Sequence, residues 1–224
     1  MAVGYAYFND DSGTVVGSSE TGTGGSHAPI LIIKCQQTGA LFADVCMEKG
    51  AHPWSVDCLV RHILWLGHSR VKLRSDGERP IRALCEKATE ELKKKGVSVV
   101  PDFTPVGDSV AGGLHESAVH VFKTKCRILW QQARELHGVT QSNTHGLLPW
   151  VAMYAAQLVT RSHKDDNGRT AWSHVTGRRD FNRPFVPWGE KSCIFLAEPK
   201  ANQGLHPNGS KASFWHSLKV VTNI

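Results

Sequence analysis

Asp76 and Glu116 are the two acids whose positions could serve chemistry. Asp76 lies in "VKLRSDGERP", residues 71–80, where an alternating apolar segment ends shortly before a proline that could open a helix. Open α/β sheets bind ligands at the carboxyl ends of their strands, so an acid there either belongs to a site or caps a helix. Glu116 falls in the first turn of the helix predicted after a flexible loop. Both acids also have a structural explanation: Ser75 to Glu78 fits an S-x-x-E capping box, and an acid in a first turn complements the helix dipole.

The hydrophobic pattern predicts an α/β domain that would position the two acids. Three strand-type runs open the chain, and a Thr-Gly turn joins the second run to the third. Helices that begin at prolines then alternate with short strands, which gives the order βββαβαβ. The predicted elements are strands at 2–8, 29–35 and 40–46, a helix at 53–67, a strand at 71–74, a helix at 80–96 and a strand at 97–100.

A long amphipathic helix is predicted from about Leu114 to His137, and a further helix around 148–161 completes the core. Along the long helix, apolar residues recur at three- and four-residue steps, and polar residues occupy the other side. The residues expected to be buried are Ala118, Phe122, Cys126, Leu129, Ala133 and Leu136, and those expected on the polar side are Glu116, His120, Lys123, Arg127 and Arg134.

We expect the compact domain to span residues 1–165, with residues 9–28 as a long loop. From residue 166 onward the composition turns to Gly, Pro, Arg and Trp. Residues 166–224 therefore form a predicted extension that suits a DNA-contacting tail or a truncated β module, and a solvated linker explains it equally well.

The composition suits a soluble globular protein with a polyanionic partner. The chain has 26 Lys and Arg against 20 Asp and Glu, a formal charge of +6, which favours nucleic acid, although basic proteins without such a partner are common. The six cysteines are spread without a C-x-x-C pair, which indicates reduced core residues rather than a zinc site. Since no apolar run could span a bilayer and the amino terminus lacks a basic n-region, we expect a soluble, intracellular protein with no membrane partner.

The two acids and the strand order together resemble the integrase catalytic core of retroviral and copia-type retrotransposon polyproteins, which are DDE transferases of the ribonuclease H-like superfamily. "LRSDGERPI" is similar to the family's strand-Ser-Asp-x-Glu segment, and "TPVGDSVAGGLHESAVHVFK" is similar to its catalytic loop and helix. "GRTAWSHVTGR" and "FVPWGEKSCIFL" resemble segments that follow that core. The 39 residues between Asp76 and Glu116 slightly exceed the family's spacing, a difference that a loop can absorb. The resemblance implies a ribonuclease H-like three-layer fold with a five-stranded mixed sheet.

The resemblance also implies DNA integration by metal-dependent strand transfer. Asp76 and Glu116 would be its catalytic acids and the ligands of Mg²⁺ or Mn²⁺, because hard cations of this size require oxygen ligands. Two ions about 4 Å apart can activate an attacking oxygen and stabilise the leaving one at a phosphodiester. On the same helix, His120, Lys123 and Arg127 would hold DNA, although a solvated helix face explains any one of them as well. DNA is the expected partner, and both a homo-oligomer and a nuclear location are compatible with it.

Two positions depart from the family's pattern. Gly4 aligns with the family's first aspartate, in the first strand, and Gly112-Gly113 replaces an Asn-Gly in the catalytic loop. Glycine offers no side-chain oxygen, so we expect the loss at Gly4 to weaken the placement of both ions. His115 and His120 are expected to be surface residues rather than metal ligands.

Three hypotheses remain open on the sequence. The first is an integrase core of retroelement origin, ancestrally a strand transferase and in this chain inactive if Gly4 abolishes metal binding. The second is a degenerate core that binds nucleic acid without turnover. The third is an unrelated α/β protein in which Asp76 and Glu116 serve only as helix caps.

Overall fold

The computed structural model describes residues 1–9, 14–17, 28–103, 109–138 and 147–183 of the chain. Its elements, in chain order, are β1 (Ala2–Asn9), β2 (Thr14–Gly17), β3 (Pro29–Lys34), β4 (Leu41–Val45), α1 (Pro53–Leu66), β5 (Arg70–Ser75), α2 (Arg79–Lys94), β6 (Ser98–Phe103), α3 (Ser109–His137), α4 (Leu148–Ser162) and α5 (Ala171–Thr176).

The strands form a mixed sheet in the order β4-β3-β1-β5-β6, and β2 pairs with β1 beside this path. β1 pairs antiparallel with β3, and β3 with β4, whereas the β1–β5 and β5–β6 pairs are parallel. The predicted α/β class and its five-stranded mixed sheet are therefore confirmed. The structure adds β2, which pairs Thr14 with Asn9 and lies inside the residues 9–28 predicted as loop. Val15 and Val16 of β2 are β-branched and favour extended backbone.

Helices cover both faces of the sheet because the strands alternate apolar side chains toward each face. On one face, Val3 and Tyr5 of β1 pack in a cluster with residues of α1 and α2. On the other face, Ala6 of β1 packs with Ile30 and Ile32 of β3 against α3 and α4. The sheet is thus the middle of three layers, and β1 lies at its centre.

Helix α3 is longer than its pattern predicts. It begins at Ser109 rather than Leu114, so Gly112-Gly113 lie inside the helix and Glu116 lies seven residues after its start. The dipole explanation for Glu116 is therefore wrong, since that effect is confined to the first turn. Leu136, which was expected to be buried, is 58% exposed, and the other five residues predicted to face inward are buried.

Helix α2 begins at Arg79, and its N-cap residue Glu78 makes no side-chain capping bond. Ser75 is still the last residue of β5, and its hydroxyl donates a hydrogen bond to the carbonyl oxygen of Asp76 at 3.2 Å. The predicted capping box from Ser75 to Glu78 is therefore wrong. The segment between strand and helix is a short turn that carries Asp76.

Helix α5 and the segment that follows it lie beside α4. The guanidinium carbon of Arg161 lies 5.4 Å from the ring centroid of Trp172 and 4.6 Å from that of Phe181, which are cation–π distances. Packed structure therefore continues past residue 165, as far as Phe181. The domain boundary at 165 stays a prediction, and residues 184–224 of the predicted extension lie outside the described residues.

The described cysteines are free and buried, as expected for reduced core residues: Cys35, Cys46, Cys58, Cys85 and Cys126. In the part of the chain that the structure describes, no helix is both long enough and apolar enough to cross a membrane.

Candidate functional site

The candidate site lies where β1 and β5 run side by side. Their parallel pairing sets Ala2 against Arg74, Gly4 follows Ala2 by two residues within β1, and Asp76 follows the last residue of β5. The neighbours of Gly4 in β1 enter the core on the α1 and α2 side. Residue 4 therefore faces the opposite layer, where α3 carries the second predicted acid.

His115 of α3 covers Gly4. A Cβ atom added at residue 4 would overlap the ring atoms Cε1 and Nε2 of His115 and would lie 2.9 Å from Nδ1, closer than real Cβ atoms approach other atoms. The imidazole therefore rests on the backbone of β1, in the space into which any side chain at residue 4 would project. A glycine inside a strand often marks a close approach of this kind.

The ring of His115 is uncharged at neutral pH in this position. Burial lowers its pKa to about 4, and a hydrogen bond with the backbone of Tyr5 opposes this shift in part. Nδ1 is buried and has no hydrogen-bond partner among the described residues. The surface position expected for His115 is therefore wrong, because the residue is half-buried against the sheet. The expectation is correct for His120, which is exposed.

Asp76 is half-buried just beyond the end of β5. Burial raises the pKa of its carboxyl group, and the charge of Glu78 raises it further, whereas a hydrogen bond from the backbone of Glu78 and the charge of Lys49 oppose the rise. Its Oδ1 atom is buried without a hydrogen-bond partner in the described ranges of the chain. The carboxylate of Asp76 therefore accepts a hydrogen bond within the turn before α2, while its Oδ1 atom stays buried and unpaired among the described residues.

Lys49 supplies the positive charge beside this turn, and sequence reasoning did not single it out. Its Nζ atom lies 3.1 Å from Oε2 of Glu78. The same atom lies 5.1 Å from the ring centroid of Tyr7 and 5.7 Å from that of Tyr5, both on β1. The ammonium group of Lys49 thus partly offsets the negative charge of Asp76 and Glu78 after β5.

The residues of the site do not fit the two-ion centre that the resemblance implies. Position 4 offers no side-chain oxygen, and the imidazole of His115 fills its space. Glu116 is exposed on α3. Within the described residues, no group of three or more His, Cys, Asp or Glu side chains is placed to hold a metal ion. Two adjacent Mg²⁺ ions need several oxygen ligands around both of them, and the assignment of Asp76 and Glu116 as those ligands stays a prediction.

Helix α3 also carries the residues that were predicted to contact nucleic acid. His120 and Arg127 are exposed, and Lys123 is half-buried. The opposite side of the same helix is fixed in the core by residues such as Ala118 and Phe122. The three side chains therefore project from a backbone that packing holds in place, which suits phosphate contacts. Their role in binding DNA stays a prediction.

Known proteins resemble this chain in structure and not in sequence. No protein-family model matches it, and no curated protein matches it. Among solved structures, the simian T-cell lymphotropic virus intasome matches 88% of this chain and 59% of its own chain, with 11% identity and a TM-score of 0.54. The HTLV-2 integrase catalytic core domain in complex with magnesium matches 76% of this chain and 90% of its own, with 9% identity and a TM-score of 0.50.

The BIV integrase catalytic core matches over 79% of this chain and 93% of its own, with 14% identity and a TM-score of 0.47. Identities at this level show the fold alone. The order of strands, the helices on both faces of the sheet and the similarities to the simian virus intasome chain and the HTLV-2 core domain agree on one architecture. The chain has the ribonuclease H-like fold of the retroviral integrase catalytic cores.

Proposed function

We propose that this chain is an integrase-like core domain that binds DNA and does not carry out Mg²⁺-dependent strand transfer. The observation that supports the second part is the imidazole of His115 on Gly4, where a two-ion mechanism would need a carboxylate. The features that remain are the folded sheet and the cationic side of α3. These features suit a protein that holds DNA without cutting it.

The binding part of the proposal rests on charge and on rigid placement. The chain has a formal charge of +6, and α3 presents His120, Lys123 and Arg127 on one side. Cations that neutralise phosphates release condensed counterions, which favours binding at low salt. A similar fold occurs in the chain of the simian virus intasome.

We also propose an origin, an oligomeric state and a location for the domain. The resemblance of "LRSDGERPI" and of the loop and helix around Glu116 supports an origin in a copia-type retroelement polyprotein. The HTLV-2 core domain was solved in a dimeric form, which supports a homo-oligomer here. A location in the nucleus is compatible with a DNA-binding role and is part of the proposal.

Strand transfer is the second candidate function. Asp76 and Glu116 are both present, and the structurally similar HTLV-2 core domain was solved in complex with magnesium. If this candidate is correct, the two acids hold Mg²⁺ or Mn²⁺ with one ligand fewer than the family uses. The chain would then join DNA ends, and activity would depend on both acids.

DNA binding can be tested by fluorescence anisotropy with a labelled duplex at several salt concentrations. The variant His120→Gln/Lys123→Gln/Arg127→Gln removes two formal charges at neutral pH, because His is counted as neutral. The matched control is Lys93→Gln/Lys94→Gln, which removes two charges from the exposed surface of α2, in the layer on the other face of the sheet. We expect only the α3 variant to lower the slope of log affinity against log salt, by about 2. Equal losses in the two variants would contradict an interface on α3.

Turnover can be tested with labelled DNA ends incubated with Mg²⁺ or Mn²⁺. We expect neither trimmed nor joined products from the wild-type chain. Products that need the divalent ion and disappear in Glu116→Gln would establish the second candidate instead. A purified variant with unchanged far-ultraviolet circular dichroism excludes misfolding as the cause of the loss.

A further inference from the structure

We propose that Gly4 and His115 are a complementary pair, in which the imidazole occupies the place of the first carboxylate of the integrase cores. A side chain at residue 4 then requires the ring of His115 to move from this position. This pairing rests on the proposed function and identifies His115 as the side chain that occupies the first ligand position.

The contact between the two residues is a direct one between ring and backbone. An added Cβ at residue 4 would overlap two atoms of the ring of His115 and would lie 2.9 Å from a third. The ring also hydrogen-bonds the backbone of Tyr5, the next residue of β1. His115 therefore contacts two consecutive residues of β1, and its position is fixed by this strand as well as by its own helix.

The glycine itself requires an explanation. β1 is paired on both sides, with β3 and with β5, and glycine inside a strand is less favourable than alanine. Gly4 does not supply a left-handed backbone conformation, because it is not among the described glycines with positive φ. The close approach of the His115 ring gives the physical reason for the absence of a side chain.

The pair has a consequence for any attempt to restore the metal site. Gly4→Asp introduces a Cβ into the ring of His115, so the new carboxylate cannot reach its position unless the ring moves. Gly4→Asp/His115→Ala removes this obstacle. Divalent-ion binding should therefore return only when both residues are changed.

A double-mutant cycle tests the pairing by urea unfolding of the wild type, Gly4→Ala, His115→Ala and Gly4→Ala/His115→Ala. We expect Gly4→Ala to raise the unfolding equilibrium constant on the order of tenfold or more in the presence of the ring. In the His115→Ala background, the same change should have little effect or lower the constant. The matched control repeats the cycle with His120→Ala, an exposed histidine of the same helix, and should give additive effects.

Equal effects of Gly4→Ala in both backgrounds would overturn the pairing. If Gly4→Ala does not fold, recovery of folding in the double variant supports the pairing. Nuclear Overhauser effects between the ring protons of His115 and the Hα protons of Gly4 provide a second measurement on the wild-type chain. Their absence in a folded sample would also overturn it.

Mn²⁺ titration of the aspartate variants tests whether the ring occupies the place of a ligand. We expect saturable Mn²⁺ binding by Gly4→Asp/His115→Ala and none by Gly4→Asp alone. Binding of equal affinity by both variants, or by neither, would refute the equivalence of the ring and the first carboxylate. These results leave the proposed DNA binding untouched, since that is measured on the wild type with DNA.

Discussion

The pH dependence of stability offers a quantitative test of the buried His115 ring. Burial lowers the pKa of His115 to about 4 from its ordinary value of 6.5. The unfolded chain therefore binds a proton at this residue as the pH falls through 6.5, whereas the folded chain binds it only near pH 4. Since the unfolded state holds more protons in this window, folding loses stability as the pH falls.

The magnitude follows from the separation of the two pKa values. One pKa unit corresponds to about 1.4 kcal/mol, so the shift from 6.5 to about 4 corresponds to about 3 kcal/mol. The contribution of the uncharged ring is fully present above pH 6.5. It is lost at up to about 1.4 kcal/mol per pH unit as the pH falls toward 4.

The assay is urea unfolding of the wild type and His115→Gln at pH 7.5, 6.5, 5.5 and 4.5, conditions that we choose to span the window. The difference between the two free energies isolates His115, because groups such as Asp76 titrate in both proteins. We expect this difference to shift by about 2–3 kcal/mol in favour of the variant between pH 7.5 and 4.5. The control His120→Gln should follow the wild type. A wild type and His115→Gln that lose stability in parallel would refute the burial of this ring.

Other variants test the packing that supports the site, each by urea unfolding. Thr160→Val removes a hydroxyl that accepts from the amide of Leu41 at 2.9 Å and donates to its carbonyl at 2.8 Å, and we expect a loss of about 2 kcal/mol; an unchanged stability would contradict this. Phe122→Ala should cost about 3–5 kcal/mol, whereas Leu136→Ala, at a 58% exposed position, should change stability by less than about 0.5 kcal/mol; similar losses would contradict the placement of α3. Gly67→Ala places a side chain at φ 71° after α1 and should cost about 1 kcal/mol, and a gain in stability would contradict that backbone conformation.

The elements that define the fold were predictable because their signals are local. Proline at position 53 and glycine at position 67 mark the two ends of α1, and the structure places them there. The strand β2 was missed because its four residues lie in a Gly-, Ser- and Thr-rich stretch that lowers the strand signal. The early start of α3 was missed because Gly112-Gly113 weakens a helix pattern, and tertiary packing can override that propensity.

The site was predictable only in part. The order of strands and helices along the chain could be derived from apolar runs and turn residues, and so could the position of Asp76 after a strand. Together they led to the correct fold. The burial of His115 was missed although the sequence carries a signal for it. The residue precedes Ala118, Val119 and Phe122 by three, four and seven residues, which is the spacing of one helix face. Those three residues are buried, so the pattern would have directed His115 toward the sheet.

Other features of the site depend on contacts that no sequence pattern specifies. The Lys49 ammonium group reaches Glu78 from a turn 29 residues away. The burial of the Asp76 Oδ1 atom depends on packing between a strand end and the elements around it. Charge contacts and burial of this kind arise from tertiary structure, so they could not be predicted from the sequence before the fold was known.

Paramagnetic NMR with Mn²⁺ tests the central claim most directly, which is that the imidazole on Gly4 leaves the fold without a divalent-ion centre. The amide signals of residues 76 and 116 report on the two predicted ligands in the wild-type chain. We expect no saturable broadening that is specific to these signals, and Mg²⁺ should cause no competing change. Saturable broadening at both residues that Mg²⁺ reverses would contradict the claim and favour an active strand transferase.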